Sequence, residues 1–333
     1  MNRRASGTAA VIAVAALALA GCAGGDGAGG EGAPIVVGSV NTISGPATFP
    51  EASQAAAAVF DAFNEEGGLD GRKIEYKMLD DKGDPATATA SAREIVGSDE
   101  AVALYGSEVL GLDDICILLE IAGSTRPTYQ AAIDTWTEIT GKEPKYVDDT
   151  VPYGASDYTP YIVKARDQGC KALAINPVEP DAIGQVKAAN AQGWDDVTWL
   201  YLTSVYSENF ADAIDDAGAG IYVPAEFYPF TDDSDINADW RALMEENDIP
   251  LTSFSQGGYL AATYFIEVLK SIDGDITRES VSEALKGMDP IENPMVGTPY
   301  AFGTQNTAGW PIILKSGTNA WEKVADDWLR IGE

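Results

Sequence analysis

The chain contains no histidine. That absence removes Ser-His and Cys-His nucleophile pairs and every His-bearing zinc site. Basic residues are scarce, 21 Lys and Arg against 52 Asp and Glu, a formal charge of −31. A field of that sign repels phosphate backbones and anionic headgroups, so neither nucleic acid nor a membrane held by a basic patch is an expected partner. There is no Gly-x-Ser-x-Gly elbow, no P-loop, and no Gly-x-Gly-x-x-Gly after the first expected strand. Asp232-Asp233-Ser234-Asp235 lacks the glycine and terminal Glu of a calcium loop. Acidic pairs such as Asp80-Asp81, Asp113-Asp114 and Asp148-Asp149 are expected as solvated surface. No catalytic residue, metal or cofactor is expected.

Long apolar runs are missing except for Ala9–Ala20. Those twelve residues, at about 1.5 Å each, span about 18 Å, too short for a bilayer core of about 30 Å. With Arg3 and Arg4 before it, the run reads as the apolar region of a signal peptide over residues 1–21. It ends in Leu19-Ala20-Gly21-Cys22, which resembles a bacterial lipobox and implies a lipid on Cys22. Residues 22–34 are rich in glycine and form an expected flexible tether. The protein is thus expected to be exported and lipid-anchored on the outer face of the cytoplasmic membrane. That lipid would be its sole membrane contact. The other cysteines, Cys116 and Cys170, could pair in that compartment or stand as two buried thiols.

What the sequence does have is a two-lobe length, 333 residues, and ample apolar content for a core, 45%. Short apolar runs alternate with amphipathic stretches. Strands are expected near 35–40, 73–79, 101–105, 145–150, 172–176, 197–202 and 221–223. Helices are expected over 51–66, 85–97, 108–122, 128–140, 156–168, 181–192, 208–217, 236–246, 257–272 and 278–286. Two further strands are expected at 310–315 and 321–331. This order predicts parallel sheets covered on both faces, with ligands at the carboxyl ends of strands.

Four segments carry a resemblance. They are Gly38-Ser39-Val40-Asn41-Thr42-Ile43-Ser44-Gly45-Pro46, Asn64 to Ile74 (NEEGGLDGRKI), Asp80 to Pro85 (DDKGDP), and Leu104-Tyr105-Gly106-Ser107. In this order and spacing they resemble the first lobe of type 1 periplasmic binding proteins, the branched-chain amino acid receptors of ABC importers. Weaker similarity runs from Asp148 to Ile331. The resemblance implies an α/β fold of two doubly wound parallel-sheet lobes joined by a hinge. Lobe one would hold residues 35–125 and about 231–308, and lobe two about 126–230 and 309–333. Strands around residues 123–128 are expected to be lacking, because a helix expected to end at Ala122 runs straight into one like a lobe-two helix. About two β-α units of about 30 residues each would be missing.

The same resemblance implies a ligand cleft. Ser107, after Gly106, would hold a carboxylate where a strand passes into a helix. Phe49 and Phe254 would be cleft aromatics. The lobe-two loops would contribute Asn176, Thr203, Ser204 and Tyr206. No carboxylate stands in the loop Leu202 to Tyr206, with Glu208 the nearest acid, so an amino acid, an amide, a urea-like compound and an aromatic acid all stay open. The implied function is delivery of a small solute to an ABC permease and its ATPase by hinge closure, as a monomer. A ligand-sensing module for a membrane receptor and a shortened product with impaired binding remain alternatives.

Overall fold

A computed structural model describes residues 32–44, 48–80, 111–121, 126–214, 220–304, 306–315 and 320–330. The expected strand at 101–105, the helix at 85–97, Gly106, Ser107 and Cys22 lie outside the described residues.

Among those residues the smaller sheet has two parallel strands, β1 (Ile35–Asn41) and β2 (Ile74–Asp80). Helix α1 (Pro50–Glu65) connects them, with Pro50 at its first turn and an Ala-rich face turned inward. It stops at Gly67 and Gly68, both at positive φ. At Gly68 a Cβ would lie 2.2 Å from the Arg72 carbonyl oxygen, so the tight Leu69–Arg72 bridge requires glycine there. Ile35, Phe60 and Ile74 pack with Ala262, Ile266 and Leu269 of a later helix, α7 (Ser253–Lys270), to form this lobe's core.

The larger sheet has eight strands in the order β10-β8-β7-β6-β5-β3-β4, with β9 on β8. Its parallel part comprises β3 (Ile115–Glu120), β4 (Tyr146–Val151), β5 (Ala172–Ile175), β6 (Thr198–Tyr201) and β7 (Ile221–Ala225). Helices α2 (Arg126–Thr140), α3 (Thr159–Asp167), α4 (Glu179–Ala191) and α5 (Glu208–Ile214) lie between them in sequence. After β7 come α6 (Ala238–Glu246), α7 and α8 (Arg278–Gly287). Then β8 (Ala308–Lys315) returns antiparallel to β7, and β9 (Ala320–Lys323) and β10 (Leu329–Arg330) pair antiparallel with β8. The tail thus holds three strands where two were expected. Trp321 Nε1–H donates to the Ser207 carbonyl at 2.8 Å, fastening this tail to the lobe.

The main correction concerns Ile115–Glu120. The expected helix through Ala122 is here a strand, buried along its whole length. Cys116 and Leu118 join one core while Ile115, Ile117 and Leu119 join the other, so both faces are covered. The strand belongs to the larger sheet, which moves the start of that lobe ahead of residue 125. Among the described residues no strand lies between β3 and the start of α2 at Arg126. A disulfide joins Cys116 of β3 to Cys170, just before the neighbouring β5. A smaller correction falls at α3, which begins at Thr159 behind Asp157, whose carboxylate accepts the Thr159 N–H at 2.9 Å.

Among the described residues no helix is long and apolar enough to cross a membrane, and no cluster of three His, Cys, Asp or Glu side chains is placed to hold a metal.

Candidate functional site

The lobes meet where the first turns of α1 and α7 approach the carboxyl ends of the larger sheet's strands. Asn41, the last residue of β1, donates its side-chain N–H to the Phe49 carbonyl at 2.7 Å and to Ser53 Oγ at 3.1 Å. This sets the N-cap position of α1, which Phe49 occupies. Phe254 sits in the first turn of α7, whose capping box ties Thr252 to Ser255. The two half-buried rings lie with centroids 4.2 Å apart at an interplanar angle of 36°. The structure thus brings these two expected cleft aromatics together.

Next to α7 is the turn after β6, Thr203–Val205. Thr203 Oγ1 donates to the Pro224 carbonyl at 3.2 Å and Ser204 Oγ to the Pro177 carbonyl at 2.9 Å. These bonds lock the turn onto the ends of β7 and β5, and α7 packs on the turn. Ser207 Oγ donates to the Glu179 carboxylate at the start of α4. Burial, and to a lesser degree Glu51 of α1, holds the Glu179 carboxyl above its usual range. Acids of both lobes therefore approach each other across the junction.

Two expected ligand contacts are placed differently. Tyr206 is buried with its ring 4.3 Å from Phe230 and 5.1 Å from Trp321, and its hydroxyl is 2.8 Å from Thr231 Oγ1. The ring is part of the core. Asn176 is also buried, and its amide pairs with the backbone of Glu120.

Glu120 was not singled out from the sequence. It ends β3, is wholly buried, and Oε1 accepts from Gln185 Nε2 at 2.7 Å. Asp181 shares a side-chain hydrogen bond with this carboxyl. Burial first, then the neighbouring Asp181, pushes its carboxyl up to about 9. Asp181 in the first turn of α4 accepts the Gly154 N–H at 2.8 Å. Tyr201 donates to Gln185 Oε1 at 3.3 Å from the β6 side. Tyr153 is 39% exposed, and burial of its hydroxyl, with Tyr129, Glu120 and Asp181 near, raises it above the usual phenol range. The one sequence clue was an acid ending an unbroken apolar run, Ile-Cys-Ile-Leu-Leu-Glu.

The profile of a family described as periplasmic binding protein matches residues 34–112 and 120–311. An amino acid binding protein of Pseudomonas aeruginosa is 28% identical over 177 residues, 48% of this chain and 43% of that protein. The chain therefore spans less than half the length of that relative. The fatty acid ABC transporter substrate-binding protein from Thermomonospora curvata superposes with a TM-score of 0.77 at 16% identity, over 92% of this chain and 95% of that one. A branched chain amino acid ABC transporter from Thermus thermophilus with bound valine gives 0.72 at 15% identity, over 90% and 97%. A solute binding protein from R. palustris in complex with 4-hydroxybenzoate gives 0.72 at 18% identity, over 89% and 97%. At these identities the likeness is one of fold, shared with a type 1 periplasmic binding protein from Bordetella pertussis at a TM-score of 0.71. With the profile matched on both sides of the lobe junction, the chain belongs to the periplasmic binding protein family.

Proposed function

We propose that the chain is the solute receptor of an ABC importer, exported and held on the outer face of the cytoplasmic membrane by a lipid on Cys22. It binds a small polar solute, an amino acid or a related amide or carboxylate, between its lobes. Closure about the hinge then gives the permease a form to recognise. It works as a monomer. Residues 35–80 with the helices after β7 form one lobe, and the larger sheet forms the other.

The observation that carries this reading is the Phe49–Phe254 pair at the mouth of α1 and α7, with α7 packed on the Thr203–Ser204 turn of the other lobe. Aromatic faces from one lobe beside hydroxyl-bearing loops from the other suit a small solute with an apolar body and polar ends. Gly106 and Ser107 are proposed to complete the site from the first lobe.

A thermal-shift screen with valine, isoleucine, 4-hydroxybenzoate and a medium-chain fatty acid tests this. A bound solute at a hundred times its Kd adds about 2.7 kcal/mol of stability. At least one member should raise Tm, and Phe49→Ala and Phe254→Ala should each abolish that rise. A panel without any shift would sink the reading. Lipid attachment is tested separately, since globomycin should block processing in a native-like host.

A further inference from the structure

We propose that the C-terminal hairpin of β9 and β10 is a strap over the hinge: Lys323, Trp328 and Arg330 clamp two crossover segments onto the larger lobe and limit how far the lobes open. This rests on the receptor reading above and adds a device that sets the width of opening without touching the solute.

The chain order identifies the crossovers. β7 belongs to the larger sheet and α7 to the core of the smaller lobe, so residues 226–237 start the passage from one lobe to the other. Residues 288–307 return from α8 to β8 of the larger sheet. The two segments pair with each other. Phe227 and Val296 form an antiparallel bridge, and Tyr228 N–H donates to the Met295 carbonyl at 2.8 Å.

The hairpin holds both. Lys323 Nζ donates to the Asp232 carboxylate on the outgoing crossover, and lies 5.6 Å over the Tyr228 ring and 5.7 Å over the Trp310 ring. The Tyr228 hydroxyl donates to the same carboxylate at 3.0 Å. An ammonium held by a carboxylate and two ring faces has a defined seat, unlike a loose surface pair. On the returning crossover Arg330 donates to the Gly297 carbonyl. A Cβ on Gly297 would come within 2.6 Å of the Trp328 indole, so glycine is what lets the crossover lie this close. The hairpin is itself fixed to the sheet, since β9 and β10 pair with β8 and Trp310 Nε1–H donates to the Ala325 carbonyl at 3.2 Å.

The smaller lobe grips the same crossovers from its own side. Gln256, wholly buried in the first turn of α7, donates to the Tyr228 carbonyl at 2.8 Å. Tyr264 of α7 stacks on Tyr300 with centroids 4.7 Å apart. Tyr228 is thus bound to the smaller lobe by its carbonyl, to the other crossover by its N–H, and to the strap by its ring and hydroxyl. That makes it the pivot. With the strap in place, rotation is confined to the contacts on the smaller-lobe side. Without it the crossovers themselves swing and the mouth widens. Phe254 shares the first turn of α7 with Gln256, so the cleft aromatic moves with the pivot.

Small-angle X-ray scattering of the solute-free full chain tests this. Lys323→Met, alone and with Arg330→Met, should raise the radius of gyration by a few per cent of the roughly 20 Å expected for a folded chain of this length. Lys323→Arg should keep the wild-type value. Raising NaCl from about 0.05 to about 0.5 M should widen the wild type, by screening the ion pair, and leave Lys323→Met unmoved. Screening of the net charge relieves self-repulsion and works in the opposite direction, so widening is diagnostic. Lys171→Met, which breaks the surface pair with Asp196 away from both crossovers, should match the wild type. A wild-type radius in Lys323→Met that is folded by circular dichroism overturns the proposal, whatever its loss of Tm. Equal widening in Lys171→Met overturns it too. Should the methionine variants not fold, the salt response of the wild type decides, and an unchanged or smaller radius overturns the strap. No solute enters the measurement, so its failure leaves the receptor reading to the solute panel.

Discussion

The side-chain amide of Asn176 takes the place of a strand residue opposite Glu120, accepting its N–H at 3.0 Å and donating to its carbonyl at 3.3 Å. β5 ends one residue earlier, at Ile175, so the amide continues the ladder beyond the strand. Asn176→Ala would leave both backbone groups of Glu120 buried and unpaired. We expect a loss of about 1–3 kcal/mol in urea denaturation without any solute present. An unchanged midpoint would refute this structural role.

Gly258 makes the crossing of α1 and α7 possible. A Cβ at that position would lie 1.9 Å from the Ala52 carbonyl oxygen. Gly258→Ala must push the helices apart and should cost about 1–3 kcal/mol. Gly257→Ala is the control, since its Cβ would meet only the Phe227 ring at 3.4 Å. That variant should be neutral or gain up to about 1 kcal/mol from helix propensity. Equal losses in the two variants would argue against a specific contact at Ala52.

Stability should depend on pH through two carboxyls of opposite sign. Burial, then Asp181, raises Glu120 from 4.5 to about 9, so in that window the folded state holds a proton that the unfolded state has lost. Stability therefore falls as pH rises from about 4.5 towards 9. At Asp148 burial alone would raise the carboxyl, but hydrogen bonds from Thr150, Tyr146 and Lys164 bring it from 3.8 down to about 2. Its contribution is present above 3.8 and is lost as pH falls towards 2. Melting from pH 3 to 9 should give greatest stability near pH 4–5, by these two shifts. Glu120→Gln should flatten the alkaline side and melt above the wild type at pH 8. A steeper alkaline side in that variant would be the contrary result.

The disulfide closes a loop with a sequence separation of 54. Chain entropy alone gives about 4 kcal/mol for a loop of that size. Cys116→Ala with Cys170→Ala should lower stability on that scale, read as the unfolding free energy from urea denaturation, with a steeper slope because the uncrosslinked unfolded chain exposes more surface. A loss below about 1 kcal/mol would mean that the unfolded chain is little constrained by the bond.

Strands and helices with clear periodicity were legible in the sequence. The expected strand at 172–176 is observed as Ala172–Ile175, and the helix at 278–286 as Arg278–Gly287. Ile115–Glu120 was not, because an unbroken apolar run has neither a period of 2 nor one of 3.6. Only its neighbours, β4 and β5, decide that it is a strand. Phe49 and Phe254 were each singled out through the family resemblance, and the structure sets their rings 4.2 Å apart. Tyr206 looked like a loop aromatic, yet Phe230 and Trp321, remote in sequence, enclose it. Glu120 had only its place at the end of an apolar run as a clue and Asp181 had none, since two acids on different elements do not stand out among 52.

The sheet order also bears on how copies of the molecule behave in crowded solution. Among the described residues the larger sheet ends on one side at β4, whose sequence is Tyr-Val-Asp-Asp-Thr-Val. Asp148 is engaged by Lys164 at 2.9 Å and Asp149 by Arg126 at 2.9 Å. A second molecule pairing along this border would have to set its own half-exposed Asp149 against this one. The border thus resists edge-to-edge aggregation, and replacing Asp149 with threonine would remove that protection.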